Sequence, residues 1–172
     1  MTEPEFSRLV RARPSAPERI AIEADEAERR ALAARFEVAG IASLQAELSF
    51  EPQGDAVLAT GAMTADIVQT CAVSGEDFPA RIEEPLALLF VTQARAIDPD
   101  EEAELPGDEP DEIEFSGDMF DLGEAVAQSL GLAIDPFAEG PGADAARAAA
   151  GLLDENAPRG PLAEALAKLT RS

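Results

Sequence analysis

Ala42-Ser43-Leu44-Gln45-Ala46-Glu47-Leu48-Ser49-Phe50 alternates apolar and polar side chains without a break. Successive side chains of a strand point to opposite faces, so this stretch reads as a strand with one buried and one wet face. Pro52-Gln53-Gly54-Asp55 follows as a turn. Beyond it, Val57, Ala59, Met63, Ala65, Ile67 and Cys71 fall on one face of a long second strand, and Ser74-Gly75-Glu76-Asp77 forms the next turn. A third strand, Ala80 to Gln93, carries Leu86, Leu88 and Phe90 on one face and Ala87, Leu89 and Val91 on the other, the pattern of a covered, central strand. Three consecutive strands joined by short turns make an antiparallel meander.

Upstream, Phe6 to Arg13 reads as an extended segment and Arg19 to Glu23 as a short strand. Asp25 is an N-cap with Glu28 three residues on, the spacing of a capping box, and Gly40 is expected to end that helix. Downstream, the stretch from Asp98 to Glu114 holds ten carboxylates, no base, and Pro99, Pro106 and Pro110. Such a run repels itself, and residues 98–112 are expected to form a mobile acidic loop. Ile113 to Ser116 suits a short strand, and Asp121 opens a second helix, where Leu122, Val126, Leu130 and Ile134 form a stripe until Pro136 stops it. The expected fold is α+β, an antiparallel meander or small barrel-like sheet packed with two or three helices. One domain spans 1–136. An Ala- and Gly-rich tail, 137–172, carries a weak helix at Ala143 to Leu153 and a terminal helix from Pro161, lined by Leu162, Leu166 and Leu169.

The charge is lopsided. Thirteen basic and 35 acidic residues give a net charge of -22. That balance disfavours a backbone-wide grip on nucleic acid, which needs Lys and Arg to replace counterions, and favours basic partners. Seven of the 13 bases lie in the first 35 residues, so Arg8, Arg11 and Arg13 mark the one place suited to RNA contact. The N-terminus lacks the basic and apolar pattern of a secretory signal, and the longest apolar run, Pro85 to Val91, is far short of the roughly 20 residues that span a bilayer. The cytoplasm is the expected location, with no membrane partner.

The chain has no histidine, which removes the commonest general base and metal ligand and every Ser-His or Cys-His pairing. Cys71 is the only cysteine, so no internal disulfide forms, and its place at the end of an apolar strand face suits a buried structural thiol. Asp98, Asp100, Glu102 and Glu104 alternate like calcium-loop ligands, but Ala103 stands where the turn needs Gly. Neither a G-x-x-x-x-G-K-[ST] loop nor a G-x-G-x-x-G loop is present. No catalytic residue, metal site, cofactor or small-molecule substrate is expected. The residues left for function are those that bind a partner: Asp100, Glu101, Glu102, Glu104, Asp108, Glu109 and Asp111 in the acidic loop, and the Leu162, Leu166 and Leu169 stripe.

Three segments, in order, resemble the YceD family, the large ribosomal RNA subunit accumulation proteins. The first is Thr70-Cys71-Ala72-Val73-Ser74-Gly75-Glu76-Asp77-Phe78. It is similar to the family's strand end, where many members carry a C-x-x-C pair, a turn and a Phe. The second, Met119-Phe120-Asp121-Leu122-Gly123-Glu124-Ala125-Val126 through Leu130-Gly131-Leu132-Ala133-Ile134-Asp135-Pro136, resembles the helix that follows the family's acidic loop. The third, Gly160-Pro161-Leu162-Ala163-Glu164-Ala165-Leu166-Ala167-Lys168-Leu169, is similar to its terminal helix, with Gly160 and Leu162 in place of Asn and Phe. Ser74 stands where many members have the second Cys, and this Cys-x-x-Ser variant looks like the alphaproteobacterial branch.

The resemblance implies a non-enzymatic factor in 23S ribosomal RNA accumulation and large-subunit assembly. Its partner would be a ribosomal protein or a pre-ribosomal particle, with direct RNA contact second. The alternative is a general acidic interaction module, or a nucleic-acid mimic that blocks a nucleic-acid-binding protein. With Ser74 and no histidine, Cys71 is the only soft ligand, whereas structural zinc takes four of Cys or His type. Purified protein should therefore contain no stoichiometric zinc, and elemental analysis giving one zinc per chain would contradict this.

Overall fold

The alternating stretch around Leu44 forms the strand that organises the chain. A computed structural model describes residues 3–13, 15–93 and 109–151. Its elements run β1 (Leu9–Arg11), β2 (Arg19–Glu23), α1 (Glu26–Arg35), β3 (Gly40–Gln53), β4 (Ala56–Thr70), β5 (Asp77–Thr92), β6 (Asp111–Phe115), β7 (Met119–Asp121), α2 (Leu122–Ala133) and α3 (Ala143–Ala149). The fold is α+β, as expected. Five strands pair in the order β2-β3-β4-β5-β6, and β1 pairs with β7 in a separate two-stranded ribbon. The large sheet stays open rather than closing into a barrel.

The meander is antiparallel, with Leu44 opposite Ala65, and Ala65 opposite Ile82. Gly54 and Asp55 alone separate β3 from β4. Gly54 has φ 64°, the left-handed value that the first loop position of a type II′ turn needs. The last strand departs from the meander, because β6 runs parallel to β5. It begins at Asp111, so Asp111 and Glu112 belong to a strand rather than to the acidic loop; the rest of that loop, apart from 109 and 110, lies outside the described residues.

β5 is central only where β6 flanks it, at Leu88–Thr92, and there Leu88 to Val91 are all buried. Upstream, from Asp77 to Ala87, it has no strand on that side among the described residues. Pro79 and Pro85 fall on this open edge, and residues without an N–H resist pairing with further strands. Leu89 and Val91, with Ala56 and Leu58, form a second small apolar cluster on the sheet face away from the core.

Asp25 caps α1 as a full capping box with Glu28. The helix stops at Arg35 and not at Gly40. Glu37 takes φ 55°, and the Val38 N–H donates to the Ala33 carbonyl, the bonding of a Schellman end with Glu in place of the usual Gly. Gly40 instead begins β3. α2 starts at its Asp121 cap, and Leu122, Val126 and Leu130 are wholly buried against the sheet, joined by Ala125 and Ala127. The weak helix of the tail is α3; the terminal helix lies outside the described residues. The tail is not detached at its start: the Ala138 carbonyl accepts from the Ala72 N–H, and Ala143 is buried.

Two glycines set close approaches. A Cβ on Gly123 would lie 2.6 Å from the Phe6 carbonyl oxygen and 2.8 Å from the Arg8 nitrogen. One on Gly61 would overlap the Glu47 carbonyl oxygen and sit 2.8 Å from Leu48 Cα. Since that obstacle is backbone of the paired strand, Gly61→Ala should cost about 3 kcal/mol of stability. Gly40→Ala, with nothing within 4 Å of the added carbon, should be neutral or stabilise by up to ~1 kcal/mol. Urea unfolding of both variants checks the contrast.

Candidate partner-binding surface

Among the described residues, no group of three or more Cys, Asp and Glu could hold a metal ion, and no helix is long and apolar enough to cross a membrane. The chemistry on offer is charge, and the arginines decide how it is distributed. Arg8 follows from its position beside β1: its N–H donates to Asp121 Oδ1 at 2.8 Å, and the Ser7 hydroxyl donates to Asp121 Oδ2 at 2.6 Å. Its guanidinium makes two bonds to Glu28, at 2.6 and 2.8 Å, and a third to the Glu23 carbonyl. The bonds to Glu28 raise the Arg8 pKa, and those from Arg8 lower that of Glu28. Arg35 bridges Glu124 and Glu5 at 2.9–3.0 Å, holding α1, α2 and the N-terminal segment together; it is raised chiefly by Glu124, which it lowers in turn.

Other arginines are engaged in the same way. Arg19 pairs with Glu47, Arg30 with Glu26, Arg81 with Asp66 and Glu83, and Arg147 with Glu139 and Asp144. Arg11 and Arg13 differ, being exposed with no carboxylate partner among the described residues. Of the three arginines suited to RNA by sequence, the structure thus commits Arg8 to a clamp and leaves two open. No sequence signal marked the clamp, because Arg8, Glu28 and Asp121 are far apart in the chain.

The acids fall differently. Glu109 and Asp111 are exposed, at and just before the start of β6, and with Glu112 and Glu114 they have no basic partner among the described residues. Glu112 and Glu114 register with Leu89 and Val91, which places them on the outer face of the sheet. Asp100, Glu101, Glu102, Glu104, Asp108, Leu162, Leu166 and Leu169 lie outside the described residues.

Cys71 directly follows β4 as a buried thiol, 3% exposed, and its sulfur accepts the Ser74 N–H at 3.3 Å. The Ser74 side chain, then the N–H groups of Ser74, Gly140 and Val73, draw its pKa down to about 7; burial opposes them and is outweighed. The sulfur sits in a turn-and-tail pocket that sequence could not show, since Gly140 comes from the segment after α2.

A model of the family described as the large ribosomal RNA subunit accumulation protein YceD matches residues 59–156. The chain belongs to the YceD family. The match covers more than half of the 172 residues and runs from β4 past α3, taking in the Cys71 turn, β6, β7 and α2. The first three strands, the capping box of α1 and most of the arginines lie upstream of it. No curated protein and no solved structure matches the chain. As a YceD protein it belongs among factors of large-subunit ribosomal RNA accumulation, which agrees with the reading of its motifs.

The Cys71 geometry carries a sign. A thiol lowered by folding contributes stability that grows as pH rises through about 7 toward the ordinary ~8.5, and is lost as pH falls through the folded value. Thiolate absorbance should titrate near 7 in the native protein. Ser74→Ala should move that midpoint upward, and an unmoved midpoint would show that the turn does not set it.

Proposed function

We propose that this YceD protein supports 23S ribosomal RNA accumulation by binding rather than catalysis, holding a basic ribosomal protein or a basic part of the pre-ribosomal large subunit against its acidic surface. The observation that carries this is the charge distribution. The net charge is -22, and most of the described arginines are already satisfied by carboxylates within the fold. Glu109, Asp111, Glu112 and Glu114 are left without a basic partner among the described residues. Asp100, Glu101, Glu102, Glu104, Asp108, Glu109 and Asp111 form the densest run of acids. Free ribosomal proteins carry unpaired Lys and Arg that aggregate with RNA at random; an acidic surface holds such a segment until its RNA site competes for it. Exposed ion pairs give only about 0.2–1 kcal/mol each, so many act together and the complex weakens with salt.

A second mechanism, direct RNA contact, rests on Arg11 and Arg13 as exposed cations without a carboxylate partner among the described residues. A nucleic-acid mimic would instead travel with its target protein in a gradient, whereas an assembly factor co-migrates with precursor large subunits.

Depleting the protein should lower 23S relative to 16S ribosomal RNA, and changing those seven acids to Asn and Gln should reproduce part of the defect. Unchanged 23S levels on depletion would overturn the functional reading. A normal phenotype from the neutralised acids would overturn the charge mechanism and leave Arg11 and Arg13 to be tested.

A further inference from the structure

α2 presents Leu132 to solvent at 85% exposure, although the rest of its apolar stripe is buried. Beside it lies a crevice of about 140 Å³ between the end of the helix and the open edge of β5. Leu86 and Ala87 form one wall, Leu132 and Ala133 the other, and Glu84 and Asp111 stand among the lining residues. An exposed large aliphatic next to an apolar slot marks a surface that another apolar group covers. Pro85 lines the same crevice and removes an N–H there, so an added β-strand is a poor occupant.

We propose that the occupant is residues 161–170 of this same chain, with the Leu162, Leu166 and Leu169 stripe laid against Leu132 and the crevice wall. Three facts converge on this segment. Its leucines recur at helical spacing and need a cover. From residue 159 onward the chain holds Arg159, Lys168 and Arg171 against Glu164 alone, an excess of positive charge in a protein of -22, which suits a crevice that includes Glu84 and Asp111. The segment is also within reach. Residues 140 and 142 pack on Phe78 and Glu76, at the start of β5. Residue 142 packs at Glu76, roughly 33 Å from Leu86 along the strand; α3, about 10 Å long, and the ten residues 152–161, up to about 33 Å, together span that distance. Docking brings Lys168 and the flanking Arg159 and Arg171 toward Glu84 and Asp111, which have no basic partner among the described residues, and removes the leucine stripe from solvent. It meets the partner surface proposed above at one residue, Asp111, and otherwise uses different groups.

The test uses the full chain with a nitroxide on Ala165→Cys, in a Cys71→Ala background so that only the introduced thiol is labelled. Amide signals of residues 84, 86–88 and 129–133 should broaden strongly, and those of 9–13 and 118–121, at the other end of α2, should not. Leu132→Asp, at a site too exposed to unfold the protein, should reduce that broadening at least threefold, and Lys168→Glu with Arg171→Glu should reduce it further. Broadening spread evenly over the surface, or centred elsewhere, overturns the proposal. Broadening that appears on an unlabelled isotopic copy mixed with the nitroxide-bearing chain makes a second copy the occupant and overturns it too.

Discussion

The fold depends on the burial of Phe120 between two sheets. Its ring stacks on Phe90 with centroids 3.9 Å apart, and Phe50 and Phe115 close around it at 5.9 Å each. Phe90 and Phe50 belong to the large sheet, Phe115 to the edge strand β6, and Phe120 to the ribbon. One aromatic cluster thus joins the two sheets in a chain with only eight aromatic residues, all Phe. Because large rings bury the most apolar area per residue, an Ala- and Leu-rich chain concentrates its few where sheets meet. The next residue, Asp121, caps α2 through the Glu124 N–H and takes hydrogen bonds from Ser7 and Arg8. Phe120 fixes depth, and Asp121 fixes the direction in which the helix leaves and the N-terminal segment returns.

Electrostatics follow from that arrangement. A net charge of -22 opposes compaction through self-repulsion. The chain answers by placing four of its described arginines where each touches acids from distant parts of the sequence: Arg8 with Glu28, Arg35 with Glu5 and Glu124, Arg19 with Glu47, and Arg81 with Asp66. These pairs are partly exposed, and each is worth little alone. Their effect lies in which acids they leave over. Among the described residues, Glu109, Asp111, Glu112 and Glu114 are left without a basic partner at and around β6, two of them on the outer sheet face.

The two ends of β5 show the same division. Where β6 pairs with it, apolar residues fill both faces; where the edge is open, Pro79 and Pro85 stand guard and exposed side chains are mostly polar. The crevice beside Leu132 lies at the junction of the two regimes, where strand pairing stops and α2 has not yet turned away.

Local chemistry alone determined much of this protein. Period-two alternation at Ala42 to Phe50, the Asp25 and Glu28 capping box, the Leu122 to Leu130 stripe and the motif order of the YceD family all act within a few residues, so the sequence displayed them directly. Composition likewise gave the acidic balance, and the absence of histidine removed most catalytic arrangements. The tertiary structure decided what depends on residues far apart. It paired β6 parallel to β5, because an 18-residue connection can return a strand in either direction and nothing local chooses. It ended α1 through Glu37 rather than Gly40, since two backbone hydrogen bonds at the turn stabilise a left-handed residue that propensity disfavours. It took Arg8 for a clamp and left Arg11 and Arg13 in solvent, three arginines that look alike in sequence. Which charge is spent inside a fold and which is left for a partner depends on what lies across from it, and that is set only when distant segments meet.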